Sequence, residues 1–171
     1  MATDNKEILD VVDADDKVID TKSREYVYAN KLEYVRVVEA FIKNSDGKLW
    51  IPTRIATKKI APNGFDTGVG GHVAHGETYD EAFRKEVREE IGWNVDDLKY
   101  RTVGKFGPKD GLNTVSMVYE IQSDATPTLN SEDFSSAQWL TPQELAKQIL
   151  GGHPAKTNII HLLKLVYGAT A

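Results

Sequence analysis

Short hydrophobic runs, many of them alternating with polar residues, recur along much of the chain, as is typical of β-strands. Pairs of these runs are joined by turn sequences: Asp13 to Asp16 near the start, and Asp46-Gly47 further on. Both predict hairpins. Strands are predicted for Ile8–Val12, Lys17–Asp20, Tyr34–Lys43, Lys48–Ile55, Phe65–Val69, Trp93–Val95, Leu98–Val103, Val115–Gln122 and Ala137–Leu140.

Fewer segments have hydrophobic residues at the spacing of a helix than at that of a strand. Helices are predicted within Gly71–Trp93, over Thr141–Leu150 and over Lys156–Tyr167, with a helical turn over Ser23–Lys31. In the first helix, Thr78 followed by Glu81 is a capping box, and Gly92 is a stop signal. The pattern predicts one domain that contains both α-helices and β-strands.

Composition narrows the class of protein. A chain of 171 residues suits a single domain with a proper core, and 40% hydrophobic with 27% charged residues is ordinary for a soluble protein. Cysteine is absent, which excludes disulfides and thiolate chemistry. No apolar run approaches the ~20 residues of a membrane helix, and the N-terminus lacks the pattern of a signal peptide. We therefore expect a cytoplasmic protein, and the net charge of −5 argues against a nucleic-acid partner.

Glutamates cluster on one side of the first helix. Glu86, Glu89 and Glu90 stand at positions i, i+3 and i+4, and Glu77 comes from the glycine-rich loop before the helix. Like charges at this spacing repel one another, so one interpretation is a solvated acidic face. The nearby glycine loop and Glu77 favour the other interpretation, a site for a hard divalent cation, with Mg²⁺ preferred and Mn²⁺ as a substitute.

The segment Gly71–Trp93 resembles the Nudix box. That pattern is Gly, five residues, Glu, seven residues, then Arg-Glu-U-x-Glu-Glu-x-Gly-U, where U is a bulky apolar residue. Here Gly71 is followed by five residues, Glu77, seven residues and the run Lys85 to Trp93. Lys85 stands where the family has arginine, so the charge is kept and the planar fork of donors is lost.

The resemblance implies a fold and a reaction. The fold is α/β (α+β): an α/β/α sandwich around a mixed sheet. The reaction is hydrolysis of a pyrophosphate bond in a nucleoside diphosphate or its derivative, and similarity along the chain to bacterial Nudix enzymes makes pyrimidine nucleoside diphosphates the leading candidates. By motif position, the implied metal ligands are Glu77, Glu86, Glu89, Glu90 and the carbonyl of Gly71. Glu86, Glu89 and Glu90 are the implied catalytic residues, and which of them is the base stays open.

Residues 1–32 are predicted to form an N-terminal hairpin extension, and the stretch Asp10 to Glu25 within it resembles the N-terminal segment of the isopentenyl-diphosphate-isomerase-like branch of the same superfamily. An isomerase is the first alternative function, but it needs a cysteine where this chain has Gly70, and a metal-binding histidine upstream of His72. A catalytically silent nucleotide-binding domain is the second alternative, and the complete set of glutamates argues against it. The implied partner is a small-molecule nucleotide, with no nucleic acid and no membrane, and a homodimer stays open.

Candidate substrate-binding residues lie outside the box. Arg54 and Lys58, in the loop that enters it, could hold a phosphate, or could simply be solvated. Phe106 could contact a base or sugar, as could Lys109 and Asn113, although a plain surface loop is the alternative. Glu120 is expected on the surface. Lower-ranked candidates are Glu132 and Asp133 as a base, while His72 and His75 are not expected to bind zinc.

Overall fold

Eight strands and four helices make up the part of the chain that the structure, a computed structural model, describes: residues 6–31 and 34–170. The strands are β1 (Ile8–Val12), β2 (Val18–Ser23), β3 (Arg36–Lys43), β4 (Leu49–Arg54), β5 (Val69–His72), β6 (Lys99–Phe106), β7 (Val115–Gln122) and β8 (Phe134–Leu140). The helices are α1 (Arg24–Ala29), α2 (Tyr79–Ile91), α3 (Pro142–Leu150) and α4 (Asn158–Tyr167). No helix among these residues is long and apolar enough to cross a membrane.

Two sheets organise the strands. β1 and β2 form an antiparallel hairpin, and the other six strands form one sheet in the order β6-β7-β3-β4-β8, with β5 paired to β3. β3 and β7 run parallel along their full length, from Arg36 opposite Val115 to Lys43 opposite Gln122. The remaining pairs are antiparallel, so the larger sheet is mixed.

Alternation along β3 divides the core between the two faces of the sheet. Val38, Ala40 and Ile42 pack with α2 on one face, and Phe41 packs with α3 and α4 on the other. Each face therefore has its own hydrophobic cluster and its own helical layer. This arrangement confirms the predicted α/β/α sandwich around a mixed sheet.

The structure bears out the local signals for α2. The Thr78 hydroxyl accepts from Glu81 N at 3.1 Å, and the Glu81 carboxylate accepts from Thr78 N at 2.8 Å, which completes the predicted capping box. Gly92 ends the helix with φ of 71°, in the left-handed region where glycine is favoured. The apolar side of α2 is buried against the sheet, which leaves the glutamate side facing away from that core.

The strand predicted at Phe65–Val69 is wrong in its boundaries. Pairing with β3 begins at Val69 and continues through His72, because β3 offers the partners Val37 to Ala40 to that segment. Phe65 makes only isolated bridges, to Thr53 and Ala155. Gly70 and Gly71 are therefore strand residues, which holds the start of the loop against the central strand.

The strand predicted at Trp93–Val95 is also wrong. A 3₁₀ turn spans Val95–Asp97, and the Asn94 side chain caps it by accepting from Asp96 N at 3.1 Å. Trp93 is hydrophobic because it packs against the core cluster beneath α2. Besides β5, three strands begin or end outside their predicted bounds, namely β2, β6 and β8. The predicted extension over 1–32 falls partly outside the described residues, which cover 6–31 of it.

Glu120 corrects the expectation of a surface glutamate. It lies on the interior strand β7 with only 1% of its side chain exposed. The Tyr167 hydroxyl donates to Oε2 at 2.6 Å, and Arg101 Nε donates to Oε1 at 3.2 Å. Burial disfavours the charged form, but these donors outweigh it and hold the pKa of Glu120 below its ordinary value of 4.5. The carboxylate links β6, β7 and α4.

We expect Glu120→Gln to destabilise the fold by about 1–3 kcal/mol at pH 7, because the charge-assisted bonds weaken. A lowered pKa in the folded state contributes stability above the unfolded-state value near 4.5, and this contribution is lost as the pH falls through the folded-state pKa. The free energies of unfolding of parent and variant, measured in urea, should therefore become equal at acid pH. Glu25→Gln, at an exposed position, is the matched control. A stability difference between parent and Glu120→Gln that stays constant with pH would contradict the role given to the Glu120 carboxylate.

Candidate active site

A cavity of about 540 Å³ opens beside the glutamate side of α2. Acidic side chains line it: Glu7, Glu39, Asp66, Glu86, Glu89, Glu90 and Asp133. Basic side chains line it as well: Arg24, Arg54, Lys58, Lys85 and Lys156. A cavity with both signs of charge can hold an anionic ligand together with a cation.

Glu86 is packed directly against the glycine loop. A methyl group added at Gly71 would lie 2.2 Å from Glu86 Cδ and 2.4 Å from Oε1, which is closer than real atoms approach. Glycine at this position therefore makes room for the carboxylate. Glu90 reaches the same strand one residue earlier, where Gly70 N donates to its Oε2 at 3.4 Å. Helix periodicity and the two glycines thus place Glu86 and Glu90 side by side at β5.

Two carboxyl groups are crowded together at this pair. Burial raises the pKa of Glu86, and Glu89 raises it further, while Lys85 opposes the change. Burial also raises the pKa of Glu90, with added repulsion from Glu86 and Asp66. Glu89 is exposed but lines the same cavity. Carboxyl groups crowded in this way favour either a shared proton or a bound cation.

Glu77 and Lys85 form a separate pair beside the cavity. The Lys85 ammonium donates to both carboxylate oxygens of Glu77, at 2.8 and 2.9 Å, and Ala74 N donates to Oε2 at 2.8 Å. Burial would lower the pKa of Lys85, but the hydrogen bonds that it donates to Glu77 outweigh this effect and raise that pKa. A lysine in the arginine position of the motif therefore ties the loop glutamate to the helix.

Arg54 and Lys58 line the cavity, as their loop position suggested. Arg54 Nη1 donates to Asp66 Oδ2 at 2.6 Å, and its Nε donates to the carbonyl of Ile60 at 2.8 Å. Lys58 pairs with Asp133. Each cation is oriented by a carboxylate, and each faces the cavity that contains the glutamates.

The donor types suit a hard divalent cation, although no three acidic or histidine side chains among the described residues already converge as a metal site. Glu86, Glu89 and Glu90 offer carboxylate oxygens, and Gly71 offers a backbone carbonyl, which are the ligands that Mg²⁺ prefers. The crowding of Glu86 against Glu90 is the observation that fits a cation, since a dication would offset their repulsion. Glu77, held by Lys85, lies beside this set rather than in the lining.

The structure does not bring Phe106 to the cavity. This side chain, at the end of β6, is half-buried and packs against the cluster beneath α3 and α4. It is an apolar residue at a strand end, so burial rather than ligand binding accounts for it. Lys109 pairs with Asp15 on the surface, whereas Asn113 and Asp133 do line the cavity.

His72 follows the glycine pair and is the one histidine among the described residues that line the cavity. Its Nε2 lies 3.0 Å from the Tyr28 hydroxyl of α1, and the two rings meet edge to face. Burial lowers the pKa of His72 to about 3, aided by Arg24, so the ring is neutral near pH 7. This contact fixes α1 against the loop that carries Gly71.

Five charged residues of the cavity lie outside the motif and were missed by sequence reasoning: Glu7, Arg24, Glu39, Asp66 and Lys156. Burial raises the pKa of Glu39 to about 7, partly opposed by Lys156. A glutamate in the middle of the apolar strand β3 was the available signal, because a charged residue there must be buried. Asp66 and Lys156 lie in irregular segments, where no periodicity marks them.

Comparisons with known proteins agree with this geometry. A family model described as the NUDIX domain matches residues 33–163. A Deinococcus radiodurans protein named Nudix hydrolase is 44% identical over 162 residues, covering 94% of this chain and 94% of that protein. An uncharacterised Nudix hydrolase of Nostoc is 41% identical over 162 residues, covering 94% and 96%. The crystal structure of DR0079 from D. radiodurans has a TM-score of 0.88 at 43% identity, covering 94% of this chain and 99% of that one.

Proposed function

Since this chain belongs to the NUDIX family and is a hydrolase of pyrophosphate bonds, we propose that it acts on nucleoside diphosphates or their derivatives, with pyrimidine nucleoside diphosphates as the first candidates. The observation that carries the proposal is the shared cavity: the box glutamates lie in the same space as Arg54 and Lys58. A diphosphate needs cations on its oxygens and a base for the attacking water, and this cavity supplies both kinds of group. We further propose that residues 1–171 form one domain of this kind.

Hydrolases of this family generally use divalent cations, and we propose Mg²⁺, with Mn²⁺ as a substitute. Glu86, Glu89, Glu90 and the Gly71 carbonyl would hold it, with Glu77 as an additional ligand. When bound, the ion would screen the phosphate oxygens and orient the phosphorus for in-line attack. Its presence would also offset the repulsion among the buried carboxylates.

The protein's own groups divide the remaining work. Arg54 and Lys58 bind the diphosphate through charge-assisted hydrogen bonds. A carboxylate of the cluster takes a proton from the attacking water. The water oxygen bonds to phosphorus as the P–O–P bridge breaks, and the bridging oxygen leaves with the other phosphate. We assign this role to Glu86, because Gly71 leaves room for its carboxylate against the strand that delivers the loop. Phe106 has no part in this proposal.

A panel of candidate substrates tests the function. Nucleoside di- and triphosphates, nucleotide sugars, dinucleoside polyphosphates and prenyl diphosphates are incubated with the protein and Mg²⁺, and phosphate and nucleotide products are quantified. We expect hydrolysis of at least one nucleoside diphosphate, and loss of it with a chelator. Binding of nucleotides without turnover would support a silent domain instead, and double-bond migration in a prenyl diphosphate would support an isomerase.

A further inference from the structure

Lys156 reaches the cavity from a part of the chain far from the glutamates. It lies between α3 and α4, in a segment whose backbone is fixed to Phe65. Phe65 N donates to the Pro154 carbonyl at 2.9 Å, and Lys156 N donates to the Phe65 carbonyl at 3.0 Å. A methyl group at Gly64 would lie 3.0 Å from the Pro154 carbonyl carbon, so the two segments are in close contact. The lysine therefore has a fixed backbone although it belongs to no helix or strand.

Buried carboxylates surround the ammonium of Lys156. Asp66 Oδ1 lies 3.5 Å from Nζ, while the other oxygen of Asp66 holds Arg54. Glu39 also interacts with Lys156, and in the described part of the chain its buried Oε2 has no hydrogen-bond partner. Attraction from Asp66 raises the pKa of Lys156 against the effect of burial, so the group is charged. Asp66 thus aims two cations, Arg54 and Lys156, into one cavity.

The ion pair of Lys156 is longer than those of Arg54 and Lys85, which line the same cavity. Arg54 and Lys85 each make a short ion pair, of 2.6 and 2.8 Å, whereas the distance given for Lys156 is 3.5 Å. About a third of its side chain is exposed, 32%, and the residue lines the cavity. An ammonium has three donors, and a carboxylate at 3.5 Å occupies at most one of them well. Donors are therefore left for a ligand that enters the cavity.

We propose that Lys156 is a substrate-binding residue that donates to a phosphate oxygen of the diphosphate, next to Arg54. The inference rests on the proposed function, which places the diphosphate in this cavity. A lysine that served only to neutralise Asp66 would pair closely with it and would be shielded from the open space. The family motif does not reach this position, because Lys156 lies well after the box in sequence.

The first test measures affinity for inorganic pyrophosphate by calorimetry in the presence of Mg²⁺. Lys156→Met should weaken binding by about 10- to 100-fold, the range expected when a hydrogen bond to a charged group is removed. Lys156→Arg should stay within about 3-fold of the parent, since it restores the cation. Lys164→Met, on the exposed side of α4, is the matched control and should bind as the parent does. Binding by Lys156→Met within about 2-fold of the parent, or no binding by the parent itself, overturns the proposal.

A second test uses the unaltered protein and does not depend on how the variant folds. Lysines are acetylated with an N-hydroxysuccinimide ester and the rate at each position is read by mass spectrometry. Pyrophosphate with Mg²⁺ should slow acetylation of Lys156 several-fold and leave Lys164 unchanged. An unchanged rate at Lys156 overturns the proposal.

These two experiments measure binding and not turnover, so they test this inference separately from the proposed function. A protein that binds pyrophosphate through Lys156 but hydrolyses nothing contradicts only the function. If the parent and Lys156→Met hydrolyse nucleoside diphosphates equally well, and pyrophosphate does not protect Lys156 from acetylation, only the role of Lys156 is contradicted.

Discussion

Glu86→Gln should lower kcat/KM by about 10²- to 10⁴-fold, the range associated with loss of a general base. Glutamine keeps the shape of the side chain but accepts no proton and offers a cation no charged oxygen. The Glu86→Gln variant should keep the parental fold. Burial and Glu89 raise the pKa of Glu86 in the parent, so a neutral amide removes a destabilising charge. Thermal unfolding without Mg²⁺ should therefore occur at the parental temperature or above.

The control removes a carboxylate outside the cavity. Asp97→Asn alters an exposed side chain in the turn just after α2, and it should leave both turnover and unfolding unchanged. Rates are measured with the substrate identified from the panel, over a range of Mg²⁺ concentrations. If Glu86→Gln turns over at the parental rate, Glu86 is neither the base nor a necessary ligand.

Gly71→Ala should lower turnover by about 10²-fold or more while the protein stays folded. The added methyl group would overlap Glu86, with 2.2 Å to Cδ and 2.7 Å to Cγ. The atoms it meets belong to the end of a flexible side chain, so Glu86 can rotate away at little cost to stability. The backbone at Gly71 tolerates alanine because its φ is not in the left-handed region. The expected loss therefore comes from a displaced carboxylate.

A double variant identifies that mechanism. If Gly71→Ala acts by displacing Glu86, then Gly71→Ala combined with Glu86→Gln should be no slower than Glu86→Gln alone. Additive losses would mean that Gly71 has a separate role, such as an altered position of its carbonyl. Gly104→Ala is the control, because a methyl group there would meet its nearest atom, in Phe106, at 3.6 Å, an ordinary contact.

Local signals in the sequence determined α2 and the face that carries its glutamates. A capping box, a glycine stop and the 100° step between helix residues act within a few positions, so Thr78, Gly92 and Glu86 could be interpreted without knowing the fold. Their spacing also identified the family. The strand error at Trp93–Val95 arose because a hydrophobic residue that packs beneath α2 gives the same local pattern as a strand residue.

Only the tertiary structure decided which distant residues share the site and which do not. Phe106 packs against the cluster beneath α3 and α4, and Glu120 is buried and bonded to Tyr167. Asp66 and Lys156 meet because β4 and the segment before α4 are both bridged to Phe65. Contacts between residues so far apart in sequence depend on the folded chain as a whole, and no periodicity encodes them.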